Sequence, residues 1–340
     1  MKREDLEKQM KALNHRAVPY FDDAPCYPTE ELTRLFRLER DFREQEDLSV
    51  REGIVEEYRR ILEALRKIPE APEKVWLWPE GKMPEKTAYT ENPEGRYNHD
   101  PGYRPYLFEM LVPEDVSPKG AIVVCAGGDH GEASFHEGYF SCLDLNRLGY
   151  QCFLLLNRVN MCPWSREECG ADAARAIRLV RANAEKYRIS LNRVAFAGFS
   201  NGGLTGEACI EGYSGSHTVR EHFPDYEPDG LDGYKGAPDA FLCVYGPRFV
   251  GAPFCYEGVE YPPVFFAVGR EDSALQNLDA TYPDLLKAGV KVEIHTFAGV
   301  PHGQAGMQHL GEERFGNFQL WLPLADAFLQ DVFDNIPKER

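Results

Sequence analysis

From residue 74 to residue 334 the chain alternates short apolar runs with longer stretches of helical spacing. No other feature restricts the fold as much. Runs such as Ala121-Ile122-Val123-Val124-Cys125 and Val264-Phe265-Phe266-Ala267 are apolar at every position. A strand with one solvated face would alternate apolar and polar residues, so these strands must be buried on both faces. The pattern predicts strands at 74–79, 105–112, 120–126, 151–157, 193–199, 240–246, 263–269 and 291–298, and helices at 133–148, 171–188, 201–211, 277–288 and 317–334. Strand and helix in alternation imply a mostly parallel central sheet flanked by helices, an α/β fold.

Two regions depart from this rhythm. Residues 1–70 are rich in Glu, Lys, Arg and Leu, with apolar positions at helical spacing over 29–45 and 50–68. Thr29 before Glu30-Glu31 and Ser49 before Glu52 read as helix starts. This region is expected to form a helical N-terminal extension, either a cap or an oligomer interface. Residues 71–340 then form the catalytic domain, punctuated at its start by Ile68-Pro69-Glu70-Ala71-Pro72. Within it, residues 212–238 are dominated by Gly, Pro, Asp and Tyr and read as an irregular insertion.

The chemistry is concentrated at Gly198-Phe199-Ser200-Asn201-Gly202-Gly203, which follows the apolar run Val194-Ala195-Phe196-Ala197 and precedes a predicted helix. In a tight strand-to-helix turn, a Cβ at Gly198 or Gly202 would collide with neighbouring backbone, and the serine hydroxyl is pushed clear of the sheet. The plain alternative is an ordinary serine in a glycine-rich turn. A nucleophilic serine needs a base. His302 lies just beyond the last predicted strand, in Val300-Pro301-His302-Gly303, and loops at the carboxyl ends of strands are where open α/β sheets place their sites. A third group must orient the imidazole. Asp272 follows the strand ending at Gly269, with Glu271 beside it as a rival. The chain order Ser200, Asp272, His302 is that of an α/β-hydrolase triad. One oxyanion donor is expected from the N–H of Asn201, and the second from Gly128 or Asp129 in Cys125-Ala126-Gly127-Gly128-Asp129-His130-Gly131.

The formal net charge of −17 argues against nucleic acid or an anionic membrane surface as a partner. No run of about 18 apolar residues occurs, so no membrane span is expected. Nine cysteines are scattered without metal-finger spacing, and several fall in apolar strand-like runs. The opening Met1-Lys2-Arg3-Glu4-Asp5-Leu6-Glu7 lacks the apolar core of a leader peptide. A reduced, cytoplasmic protein is the expectation.

The segment from Asp172 to Gly203, with Val75–Gly81, Tyr106–Gly128, Asn157-Arg158, Ala237–Gly246, Gly269–Asp272 and His302-Gly303, resembles α/β-hydrolase esterases. The similarity is to the acetylxylan-esterase-like and feruloyl-esterase-like group, and it spans roughly residues 74–332. It implies a cofactor-free serine hydrolase acting on an ester, with Ser200 as nucleophile, Asp272 as acid and His302 as base. The substrate it suggests is a small acyl ester, acetyl above all, on a carbohydrate or glycoside. Two features depart from that group. Asp129 and His130 stand where a third glycine and an aromatic residue are usual, and a carboxylate beside a developing oxyanion is unfavourable. Asp129 must turn its side chain away or bind a substrate hydroxyl or cation. The N-terminal 70 residues have no counterpart.

His130, Arg158 and Trp164 are candidate substrate-pocket residues, because they follow strands at the expected active-site end; the alternative for Arg158 is a structural ion pair. His130 and His136, with Asp129 and Glu132, match no standard metal-ligand spacing, and no metal or other cofactor is expected. The expected partner is a small-molecule ester, with a homo-oligomer formed through the N-terminal helices as a further expectation. Two other functions fit the same residues: a prolyl-oligopeptidase-like serine peptidase, and a non-catalytic oligomeric or binding protein on a hydrolase scaffold.

Overall fold

The computed structural model of the chain describes residues 2–68, 73–85, 102–128, 134–159 and 165–335. Asp129, His130 and Trp164 lie outside the described residues. Eight strands form one sheet: Val75–Trp76 (β1), Tyr106–Met110 (β2), Gly120–Cys125 (β3), Tyr150–Leu156 (β4), Val194–Phe199 (β5), Ala240–Val244 (β6), Val264–Gly269 (β7) and Val292–Phe297 (β8). Their order is β1-β2-β4-β3-β5-β6-β7-β8. β2 runs antiparallel to both β1 and β4, and every pairing from β4 to β8 is parallel. All residues of β3 to β7 are buried, as strands covered on both faces require.

All eight expected strands are present. β1 is shorter than its apolar run, because Trp78 leaves the edge to bury its indole and donate its Nε1–H to Asp172 at 2.8 Å. Nine α-helices accompany the sheet among the described residues: Arg3–Asp22 (α1), Thr29–Glu44 (α2), Leu48–Leu65 (α3), Ser141–Arg147 (α4), Arg166–Ala182 (α5), Asn201–Tyr213 (α6), Val219–His222 (α7), Ala274–Lys287 (α8) and Trp321–Asn335 (α9). The helix expected over 133–148 opens instead with a π-helical turn, His136–Phe140, before α4 begins. Wide turns of this kind cost hydrogen-bond geometry and concentrate at functional sites.

The N-terminal region is three helices with a core of their own. Leu6, Met10 and Leu13 of α1 meet Leu32, Leu35 and Phe42 of α2 and Tyr58 and Leu62 of α3. α3 starts one residue before Ser49, because the Asp47 side chain accepts from the N–H groups of Ser49 and Val50 and serves as the cap. The same core continues into Phe135, Tyr139 and Phe140 of the π-helical segment and Leu310 beyond His302. Thr29 and Tyr139 hydroxyls hydrogen-bond at 2.8 Å, and the Arg37 guanidinium donates to the carbonyls of His309 and Leu310 at 3.4 and 3.3 Å. The stretch 212–238 is largely irregular and is tied to α5 through Arg175 on Asp229 at 2.7 Å and Arg178 on Asp232 at 3.3 Å.

Candidate active site

Ser200 sits between β5 and α6 with φ 49° and ψ −119°. A non-glycine residue is rarely held there, and such strain is retained where surrounding packing imposes it. The packing is visible at the glycines. A Cβ on Gly198 would lie 2.3 Å from the Gly202 carbonyl oxygen, and one on Gly202 would lie 2.1 Å from that of Cys125. Both motif glycines are therefore required sterically, and the serine is forced outward at the carboxyl edge of the sheet.

Two more strand ends bring the partners in. Asp272, three residues past β7, is buried, and its Oδ1 accepts the Ala274 N–H at 2.8 Å. Its Oδ2 faces His302 Nδ1 at 2.8 Å, and His302 Nε2 faces Ser200 Oγ at 2.8 Å. A carboxylate only accepts, so Nδ1 carries the proton, and the neutral ring offers Nε2 as an acceptor for the Ser200 hydroxyl. The Asp272 hydrogen bond raises the His302 pKa above its ordinary value. Partial burial opposes this, while the charges of Asp272 and Glu137 add to it. Glu271, the rival acid, is exposed and holds Val300 only through its backbone N–H.

The expected oxyanion donors belong to two loops. Asn201 opens α6, where helix amides lack intrahelical partners. Gly128 lines the same cavity as Ser200 and His302. The preceding Gly127 presses on Ser200: a Cβ there would lie 2.6 Å from Ser200 Cβ and 2.6 Å from a Glu137 carboxylate oxygen. Asp129, the alternative donor, is outside the described residues.

The cavity has a volume of about 560 Å³, and Leu204, Pro247 and Phe249 supply apolar lining. Phe249 stands 60% exposed at its mouth. Arg158 does not line it: this corrects the pocket reading of the residue in favour of its alternative, a structural ion pair. Its side chain is 0% exposed, with guanidinium bonds to Asp172 of 2.7 and 3.0 Å. A position after a strand does not say which way a side chain turns, and Asp172 on α5 turned this one inward.

Two cavity residues were not foreseen. Glu137 is 3% exposed and accepts the Gly127 N–H at 2.9 Å. Tyr245, just past β6 with φ 41°, sets its ring against His302 at 4.9 Å. Tyr245 follows a strand, a signal that could have marked it. Glu137 carries no local signal, since only folding brings it to the site. Burial pushes the thiols of Cys169 and Cys209 up to about 12, so they stay unreactive. Among the described residues no cluster of three His, Cys, Asp or Glu could hold a metal, and no helix is long and apolar enough to cross a membrane.

No family model matches the chain. Endo-1,4-beta-xylanase B of Butyrivibrio fibrisolvens is 28% identical over 174 residues, which cover 48% of this chain and 25% of that protein. The match thus spans a quarter of that relative's length. Among solved structures, an acetyl ester-xyloside bifunctional hydrolase from Caldicellulosiruptor lactoaceticus superposes with a TM-score of 0.59 at 23% identity, over 77% of this chain and 96% of its own. The propionate-bound Est2 esterase of Thermogutta terrifontis gives 0.54 at 20%, over 77% and 98%. The carboxylesterase Cest-2923 of Lactobacillus plantarum gives 0.53 at 18%, over 67% and 92%. At these identities the likeness establishes the fold that these structures share.

Proposed function

Starting from the α/β-hydrolase fold of this chain, we propose that it is a serine carboxylic ester hydrolase that removes a small acyl group, acetyl in particular, from a carbohydrate or glycoside. The observation that carries this reading is the hydrogen-bonded line from Asp272 through His302 to Ser200 Oγ, with both links at 2.8 Å, at the wall of a cavity of about 560 Å³.

The geometry fits two-step acyl transfer. Neutral His302 takes the Ser200 proton at Nε2 while Oγ bonds to the ester carbonyl carbon. The N–H of Asn201 and one from Gly128 or Asp129 stabilise the oxyanion. The tetrahedral intermediate collapses as imidazolium gives its proton to the leaving alcohol, and the C–O bond to that alcohol breaks. Water then attacks the acyl-serine, losing a proton to His302, and the acid leaves as Ser200 recovers its hydrogen. Every charge that develops lies on His302 or the oxyanion, so these residues need no metal for the sequence to balance.

The names of similar proteins support the substrate class. One solved neighbour is an acetyl ester-xyloside hydrolase, another an esterase with propionate bound, and the sequence relative is a xylanase. The apolar lining by Leu204, Pro247 and Phe249 suits a short acyl chain. The acidic balance of the chain fits a neutral sugar ester better than a polyanion.

The test compares kcat/KM for acetylated xylo-oligosaccharides, p-nitrophenyl esters of two to eight acyl carbons, and proline-containing peptide amides. Sugar acetates and the shortest aryl esters should be turned over best. Preferred cleavage of peptide amides would replace this reading with the peptidase, and no turnover of any of them would favour the non-catalytic scaffold.

A further inference from the structure

Glu137 is a carboxylate placed where an uncompensated charge is expensive. It is buried, and no lysine or arginine pairs with it among the described residues. Buried carboxylates persist only where dipoles or hydrogen bonds replace water. One oxygen takes the Gly127 N–H at 2.9 Å, and the other faces Gly303, whose absent Cβ would be 4.0 Å away. The Tyr245 phenol oxygen accepts the Ala305 N–H at 3.3 Å, and Tyr245 and Glu137 line the same cavity. Burial first and the Glu137 charge second hold that phenol well above its ordinary value. On the same π-helical turn, His136 donates Nδ1–H to the Ala305 carbonyl at 2.9 Å, and its backbone oxygen would lie 2.1 Å from a Cβ on Gly306. The turn thus touches the oxyanion loop and the loop after His302.

We propose, resting on the serine-esterase reading, that Glu137 is a positioning residue of this site: it holds the oxyanion loop by the Gly127 amide, on a turn that His136 ties to the His302 loop at Ala305. The wide π turn is what aims this carboxylate inward. Among the described residues, the groups facing His302 are the charged Asp272 and Glu137, the Tyr245 phenol and the Ser200 hydroxyl. Glu137 therefore also acts on the base at a distance, favouring its protonated form. His136 is turned to Ala305 and Ser134, away from the imidazole.

The test uses E137Q and E137A in the full chain with an aryl acetate. E137Q can keep an oxygen to accept the Gly127 N–H, while it loses the charge and turns an amide nitrogen where the second oxygen stood. Its plateau kcat should fall less than that of E137A, since the Gly127 amide can still be held. Its acid limb of kcat/KM should move to lower pH, because the raising charge is gone. E137A loses the anchor, and its plateau kcat should fall tenfold or more with KM within about threefold, as for a misplaced oxyanion donor. An E137A plateau within twofold of wild type, an unmoved acid limb in E137Q, or a rise in KM alone overturns the proposal. The last would make Glu137 a substrate-binding group. Should E137A not fold, the E137Q acid limb decides by itself. Failure of wild-type Ser200 to react with a fluorophosphonate would refute the esterase reading instead, independently of either variant.

Discussion

Replacing Asp272 with asparagine should disable the site through a proton rather than through structure. The Ala274 N–H donates to Oδ1 at 2.8 Å, and that donor does not change. An asparagine must therefore turn its carbonyl oxygen to Ala274 and its amide nitrogen to His302. The amide presents hydrogens where Oδ2 now accepts the Nδ1 proton at 2.8 Å. His302 Nδ1 must then accept, so the ring proton moves to Nε2, facing Ser200 Oγ, and the base cannot take the serine hydrogen. A wrong tautomer of this kind costs about three to four orders of magnitude in kcat, or about 4–5.5 kcal/mol of transition-state stabilisation. Asn and Asp have nearly the same shape, so the fold should be kept. The assay is kcat on p-nitrophenyl acetate across pH, with the melting curve as control. Wild-type activity should rise with pH as His302 loses its proton, at a pKa above the ordinary value of about 6.5, because Asp272 raises it. The residual activity of the variant should show its acid limb at lower pH, since that hydrogen bond and charge are lost. A folded Asp272→Asn enzyme with kcat within tenfold of wild type would refute the reasoning. A Glu271→Gln enzyme more damaged than it would move the acid to Glu271.

Two further outcomes test the supports of the site. Asp172→Ala leaves Arg158 charged and fully buried, a loss of about 3–5 kcal/mol; calorimetry should show a melting point lowered by about 5–10 °C, with KM unchanged. An unaltered melting point with a raised KM would return Arg158 to the substrate pocket. Removal of residues 1–70 uncovers Phe135, Tyr139, Phe140 and Leu310, now packed under α1 to α3. The truncated chain should melt lower and aggregate more readily, while any folded fraction still labels at Ser200, because no triad atom belongs to those helices. Unchanged melting, mass in solution and substrate profile would show the helices to be a passive extension.

The parts of the site legible in the sequence were those fixed by local sterics or by strand ends. Ser200 is marked by glycines whose absent Cβ atoms leave room for the Cys125 and Gly202 backbones, and a spacing pattern records that directly. Asp272 follows the doubly apolar run of β7 and His302 the neighbouring edge strand β8, so a parallel sheet must bring their loops to one edge. Glu137 was illegible for the opposite reason: nothing near His136-Glu137-Gly138 shows that the helix opens with a π turn or that Gly127 lies opposite. For Arg158 the chain position leaves pocket and ion pair both open, because its partner Asp172 sits 14 residues on in another element. The N-terminal helices were readable as amphipathic, but amphipathicity does not name the surface that covers the apolar face. Here that surface is the π-helical segment and the loop beyond His302.

The central claim is that Ser200 is a nucleophile activated by His302, and its most direct measurement is covalent capture. A fluorophosphonate loses fluoride as a phosphorus–oxygen bond forms at an activated serine. The account predicts one adduct per chain, mapped by peptide mass to Ser200, with esterase activity lost in proportion. Ser200→Ala should neither label nor retain more than about a thousandth of wild-type turnover. Stoichiometric labelling at a different serine, or a Ser200→Ala enzyme keeping more than about a tenth of wild-type turnover, would contradict it.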